Sequence, residues 1–131
     1  MNIFGIGVDV VENARIRQSV DRLGQAFLDR VFTAKEQEYC ESMKFSSRHY
    51  AARFAAKEAI AKAFGTGIGS ELNWTDMEIL RRDSGEPYVV MSGAGKAFTE
   101  KRAITKIMIS LTHTDQYAAA NAVACSDDVD F

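Results

Sequence analysis

Apolar residues run almost unbroken from Ile3 to Val10, β-branched and punctuated by Gly5 and Gly7, with Asp9 as the only charge. That pattern predicts a buried strand that ends in an acid. The period then lengthens. Ile16, Val20, Leu23 and Phe27 recur at helical spacing, which predicts one helix whose other face gathers Arg15, Ser19 and Arg22. Thr33 and Glu36 form a capping-box pattern, so a second helix is predicted from Thr33 to about Met43. A third is predicted from about Ser47 to Phe64, closed by Gly65, Gly67 and Gly69. It carries alanine at 51, 52, 55, 56, 59, 61 and 63, which favours helix and leaves so little bulk that another backbone can approach closely.

The second half of the chain turns to strands. Trp74 to Arg82 alternates as a strand, Asp83 to Pro87 has the residues of a turn, and Tyr88 to Met91 returns as the hairpin partner. A short helix is predicted from Ser92 to Arg102. Lys106 to Thr112 and Tyr117 to Cys125 then form a closing hairpin through His113, Thr114, Asp115 and Gln116. Strand, helices, then mostly strands make the fold class α+β, and no internal repeat is visible. Residues 1–126 are expected to form one domain, with an acidic, frayed tail at 127–131.

A length of 131 residues suits one ordinary domain. With 47% hydrophobic residues, 26% charged and a single proline, the composition is that of an ordered globular chain. The net charge of -2 argues against bulk binding to nucleic acid or anionic membrane. Cys40 and Cys125 stand far apart in no metal-ligand spacing and are expected to be reduced and structural. The start has no secretory pattern, and no stretch approaches the ~20 apolar residues a membrane span needs, so a cytoplasmic protein is expected.

Three residues carry candidate chemistry. Asp9 ends its strand after two glycines that admit a ligand or another backbone, although a helix cap or a buried ion pair would explain it equally well. Glu58 lies mid-helix among alanines, where a carboxylate needs a nearby cation. Lys62 follows one turn later, and a plain ion pair between the two is the ordinary explanation. Against it, Arg48, Arg53, Lys57 and Lys62 give this segment four cations to the one anion Glu58, a surplus that suits an anionic ligand. Carboxylates from two elements suit Mg²⁺, which takes oxygen ligands and keeps waters and substrate phosphates in its shell. His113 sits at a strand end where it can meet a ligand; His49 reads as helix surface, and Trp74 and the phenylalanines at helical or strand spacing as core.

The runs Gly5-Ile6-Gly7-Val8-Asp9-Val10-Val11-Glu12 and Arg53-Phe54-Ala55-Ala56-Lys57-Glu58-Ala59-Ile60-Ala61-Lys62-Ala63-Phe64-Gly65-Thr66-Gly67-Ile68 resemble the two signature motifs of the holo-acyl-carrier-protein synthases, the short, single-half group of 4′-phosphopantetheinyl transferases. The similarity continues through Trp74 to Glu78, Gly85 to Pro87 and Ser110 to Ala120. It implies transfer of 4′-phosphopantetheine from coenzyme A to a serine of apo-acyl carrier protein, with release of adenosine 3′,5′-bisphosphate, in fatty acid or polyketide biosynthesis. By the same resemblance Asp9 and Glu58 are the magnesium ligands, with manganese an acceptable replacement. Lys62 meets the coenzyme A phosphates, and Arg53, Gly65, Thr66, Gly67, Ser110, His113 and Thr114 help form the coenzyme site. Either Glu58 or a metal-bound hydroxide takes the serine proton. The single half implies a homotrimer with sites at subunit boundaries. Arg15 and Arg22 are implied to dock the acidic carrier protein, with Phe27 or Leu28 as apolar anchor. A non-catalytic coenzyme A or carrier-binding module of the same fold is the alternative, and the intact Asp9, Glu58 and Lys62 argue against it.

Overall fold

The computed structural model describes residues 1–127. In chain order the elements are β1 (Asn2–Glu12), α1 (Asn13–Leu23), α2 (Gln25–Val31), α3 (Ala34–Glu41), α4 (Ser46–Phe64), a 3₁₀ turn (Trp74–Asp76), β2 (Met77–Arg81), β3 (Pro87–Met91), α5 (Gly93–Lys101), β4 (Ile104–His113) and β5 (Tyr117–Ser126). The α+β class follows directly. One antiparallel sheet has the order β1-β5-β4, and β2 and β3 form a separate hairpin.

Helix α4 lies across the inner face of the larger sheet, and small residues on both sides let it do so. Ala51, Ala52, Ala55, Ala56, Ala59 and Ala63 are buried on the helix, and Ala118, Ala120, Ala122 and Ala124 alternate inward from β5. The closest approach is at β1. A methyl group on Gly7 would stand 1.9 Å from the Ala59 carbonyl oxygen, and one on Gly5 2.0 Å from that of Ala63. Backbone therefore meets backbone where glycine leaves out the side chain. The opposite face of the sheet is bare among the described residues: Ile6, Val8 and Val10 are 70%, 62% and 63% exposed, beside Val123 and Met108 in register.

The expected capping box forms at Thr33, whose N–H donates to Glu36 Oε1 at 2.8 Å while Glu36 N–H donates to Thr33 Oγ1 at 3.3 Å. Three expectations need correction. The strand predicted as buried and ending at Asp9 exposes Ile3, Ile6, Val8 and Val10 and runs on to Glu12, because only one of its faces meets α4. The single helix through Phe27 is broken at Gly24, whose φ of 62° and ψ of −140° suit glycine alone, so α2 sets off in a new direction. The strand expected from Trp74 begins only at Met77. The Asp76 carboxylate accepts N–H bonds from Asn73 at 3.0 Å and Gly95 at 2.9 Å and winds the preceding residues into a turn. Of the expected acidic tail, Asp127 donates its N–H to the Ala103 carbonyl at 3.0 Å, and 128–131 lie outside the described residues.

Candidate functional site

Alternation along β1 sends Gly5, Gly7, Asp9 and Val11 toward α4, and the last two glycine-free positions of that series border a cleft of about 300 Å³. Asp9, Glu58, Arg15 and Ser19 give the cleft its polar lining, and Ile16, Phe27 and Phe54 its apolar wall. The two carboxylates feel one another. Burial first, and then the Asp9 charge, push the Glu58 carboxyl above its ordinary range, with Lys62 partly opposing them. The plain i to i+4 pair between Glu58 and Lys62, against which the cation surplus argued, does not form. Lys62 reaches across to β1 instead, its Nζ 3.1 Å from Asp9 Oδ1 and 2.9 Å from the Val8 carbonyl. Its side chain stays half exposed and can meet a ligand.

The donor set suits a hard divalent cation. Two carboxylates converge, and both the burial and the Asp9 charge that raise Glu58 are costs that a bound cation would relieve. Among the described residues no three His, Cys, Asp or Glu side chains gather into a cage. A metal here would therefore depend on water and substrate oxygens for the rest of its shell, as Mg²⁺ commonly does.

The remaining sequence-derived residues fall into separate groups. Gly65 caps α4 in the left-handed region (φ 78°), Gly67 is also at positive φ (65°), and Thr66 Oγ1 donates to the Gly67 carbonyl at 2.8 Å. This exit lies one turn beyond Lys62. At the other end of α4, the His113 ring meets the His49 ring with centroids 5.0 Å apart. Arg53 is 2% exposed, its guanidinium 4.4 Å above the Tyr39 ring, and its Nε has no hydrogen-bond partner. Burial, then His113, Arg53, Arg81 and Arg48, depress the His49 imidazole to about 4. Burial and the same three arginines also depress His113. Both rings are pushed toward the neutral form by burial and by the arginines around them, which make this a setting for an anion. His49 and Gly65 are sixteen residues apart on one helix, or about 24 Å at 1.5 Å per residue, so the His113 contact and the Gly65 exit stand at opposite ends of α4. Thr114 belongs to the β4–β5 turn, and Ser110 faces outward from β4 beside Val8 and Asn121.

Two readings of the sequence are corrected here. The cation surplus on α4 is smaller than counted. Lys57 is fully buried and donates to Glu36 Oε1 at 2.7 Å, the Val31 carbonyl at 2.6 Å and the Trp74 carbonyl at 3.1 Å, while Arg48 pairs with Asp115 at 2.8 Å. Phe27 and Leu28 are 6% and 7% exposed because the break at Gly24 turns α2 inward; Phe27 walls the cleft and Leu28 joins the core, so neither stands out as a surface anchor. By contrast Arg15, Arg17, Arg22 and Arg30 form no ion pair among the described residues, and all four are exposed. Sequence reasoning missed the pairing of His49 with His113 and the stack of Phe54 on Trp74, with centroids 4.9 Å apart. The Phe54 position had a signal, since it precedes Glu58 by four residues and shares its helix face.

Residues 5–122 match the family model of the 4′-phosphopantetheinyl transferase superfamily. The chain belongs to that superfamily. Among relatives of this transferase, the holo-[acyl-carrier-protein] synthase of Ruminiclostridium cellulolyticum is 45% identical over 124 residues, covering 94% of this chain and 92% of that protein. The crystal structure of the Neisseria meningitidis synthase matches with a TM-score of 0.89 at 32% identity, covering 95% of this chain and 99% of the other. The Helicobacter pylori synthase, solved in complex with coenzyme A, matches at 0.82 and 32%, covering 92% and 99%. The transferase is an enzyme of mixed helix and antiparallel sheet, as its relatives are. No helix among its described residues is long and apolar enough to cross a membrane.

Proposed function

We propose that this transferase moves the 4′-phosphopantetheine arm of coenzyme A to a serine of an apo-acyl carrier protein and releases adenosine 3′,5′-bisphosphate, with Mg²⁺, or Mn²⁺ in its place, held by Asp9 and Glu58. The observation that carries this reading is the convergence of Asp9 and Glu58 on one cleft, with Lys62 bonded to Asp9 from the adjoining pocket. The serine Oγ–phosphorus bond forms as the bond from that phosphorus to the bridging pyrophosphate oxygen breaks, and adenosine bisphosphate leaves with the electron pair. When bound, the cation neutralises charge on the phosphoryl oxygens. Lys62, free to swing from Asp9, adds a second positive charge where that charge grows. Glu58, whose burial raises its proton affinity, is this chain's acceptor for the serine proton. Ile16, Phe27 and Phe54 keep one side of the cleft dry.

The same reading makes the enzyme a homotrimer that serves fatty acid or polyketide assembly. Lys62, Gly65, Thr66 and Gly67 would hold the coenzyme phosphates beside the carboxylates, and Arg53, Ser110, His113 and Thr114 of an adjoining chain would complete the site. The distance between these two groups and the bare apolar sheet face support that arrangement. The unpaired Arg15 and Arg22 would dock the acidic carrier.

Adenosine bisphosphate release from coenzyme A, with Mg²⁺ and an apo carrier protein, is the direct test. Asp9→Ala and Glu58→Ala are each expected to cut turnover by roughly 100-fold or more while leaving the chain folded, and excess chelator to stop the native enzyme. Lys62→Ala is expected to lose more turnover than stability. Near-normal turnover in either carboxylate variant would sink the assignment. Coenzyme binding without any release would favour the non-catalytic module.

A further inference from the structure

Asn13 is the first residue of α1 and is fully buried. Its side-chain Nδ2 donates to the carbonyls of Thr114 at 2.9 Å and Asp115 at 3.2 Å, more than a hundred residues away, and its N–H donates to the Gln116 carbonyl at 2.8 Å. One residue thus ties three successive positions of the β4–β5 turn to the start of α1. The turn also organises itself: Thr114 N–H donates to the Tyr117 carbonyl at 2.7 Å, and Thr114 Oγ1 accepts from Tyr117 N–H at 3.1 Å and Gln116 N–H at 3.3 Å. Its other outside fastening, Arg48 to Asp115, engages a carboxylate 85% exposed and contributes little.

The acceptor end of the Asn13 amide is the informative part. Oδ1 is buried and has no hydrogen-bond partner among the described residues, a cost that an apolar side chain of the same size would avoid. The carbonyls that Nδ2 holds belong to residues whose side chains are exposed, so the amide fastens surface backbone rather than core. The net stability from two such bonds is offset by the unpaired Oδ1, whereas their hold on the turn is direct. The turn follows His113 directly, and Asn13 comes four residues after Asp9 and two before Arg15 of the cleft.

We propose that Asn13 is a positioning residue, clasping the β4–β5 turn so that His113 and Thr114 are held ready for coenzyme A. This rests on the reading above that places those two residues in the coenzyme site.

The test uses the full chain with Asn13→Leu, and His113→Ala as control. Asn13→Leu is expected to fold and to speed amide exchange at Thr114 and Tyr117 by about 10-fold, more than at amides remote from the turn. It should raise KM for coenzyme A by about 3- to 10-fold, the size of about one neutral hydrogen bond because the loss reaches the coenzyme only through the turn, with kcat and the KM for carrier protein within about twofold. Unchanged exchange at the turn overturns the proposal. So does an unchanged coenzyme KM in Asn13→Leu when His113→Ala raises it, and in both cases the coenzyme reading stands. If neither variant alters that KM, the coenzyme reading of the turn fails and the proposal goes with it. Should Asn13→Leu not fold, Asn13→Ser, whose hydroxyl is too short to reach both carbonyls, is read by the same outcomes.

Discussion

Lys57 and Lys62 sit five residues apart on one helix and end in opposite surroundings. Lys62 was legible from the chain, since a lysine one turn after a glutamate needs only local spacing to be noticed. Lys57 was not, because its partner Glu36 lies twenty-one residues back and the carbonyls that complete its shell come from Val31 and Trp74. His49 is hidden for the same reason, as its ring neighbour His113 arrives from β4. That setting has a pH consequence. His49 is held near 4 in the folded chain against about 6.5 unfolded, so between those values the unfolded chain binds a proton that the folded one does not. Stability is therefore unaffected by this group above about 6.5 and falls as the pH drops toward 4. Arg48, Arg53, Arg81 and His113 face the ring, and His113 shifts in the same direction. His49→Phe keeps a ring against His113 and Tyr39 but removes one titrating group, so its urea midpoint should fall less between about pH 7 and about pH 5 than that of the native chain. Equal falls in both proteins would remove His49 from the account.

At the level of elements, the glycines of β1 and the alanines of α4 announced a close approach before any geometry was known, and that approach places Asp9 against Glu58. Which strand lies beside β1 could not be read, because pairing with β5 joins the two ends of the chain and no local spacing encodes it. The break at Gly24 was missed because the hydrophobic period runs through it; only the backbone angle reveals the stop. The turn at Trp74 was missed because Asp76 bonds forward to Gly95, a residue of another helix. Gly7 offers the sharpest test of the central contact. A methyl there meets the Ala59 carbonyl at 1.9 Å, and no rotamer change relieves a clash with backbone. Gly7→Ala should therefore destabilise by about 1–3 kcal/mol or more and, by lifting β1 off the helix, lower turnover beyond what partial unfolding explains. Gly69→Ala, where an added methyl meets nothing within 4 Å, is the control and should leave both nearly unchanged. Thermal midpoints and turnover of the two variants decide it. A Gly7→Ala protein as stable and active as the native one would mean that strand and helix do not touch.

For the molecule as a whole, the outer sheet face is the feature that a lone chain leaves unexplained. Ile6 and Met108 flank Val123 in one row across the sheet, with Ile6 70% and Met108 44% exposed, and Val8 and Val10 extend the apolar surface along β1. Contiguous apolar surface of this kind usually marks an interface, and the proposed coenzyme groups are spread along α4, with the His49–His113 contact about 24 Å from the Gly65 exit. Met108 is the best place to test both points together. It stands on β4, borders neither the carboxylate cleft nor the pocket beside Lys62, and in a lone chain already faces water. Met108→Glu should therefore fold, since its new charge stays solvated in the monomer, yet resist assembly, because association would bury that charge. Light scattering of the native enzyme should give three times the chain mass of 14.5 kDa, and the variant a smaller particle with turnover reduced in step, while Met108→Leu stays native in both. A Met108→Glu trimer of full activity would move the interface off this face. A native monomer with full turnover would show that one chain builds the whole site, and the coenzyme would then have to bind without the His113 end of α4.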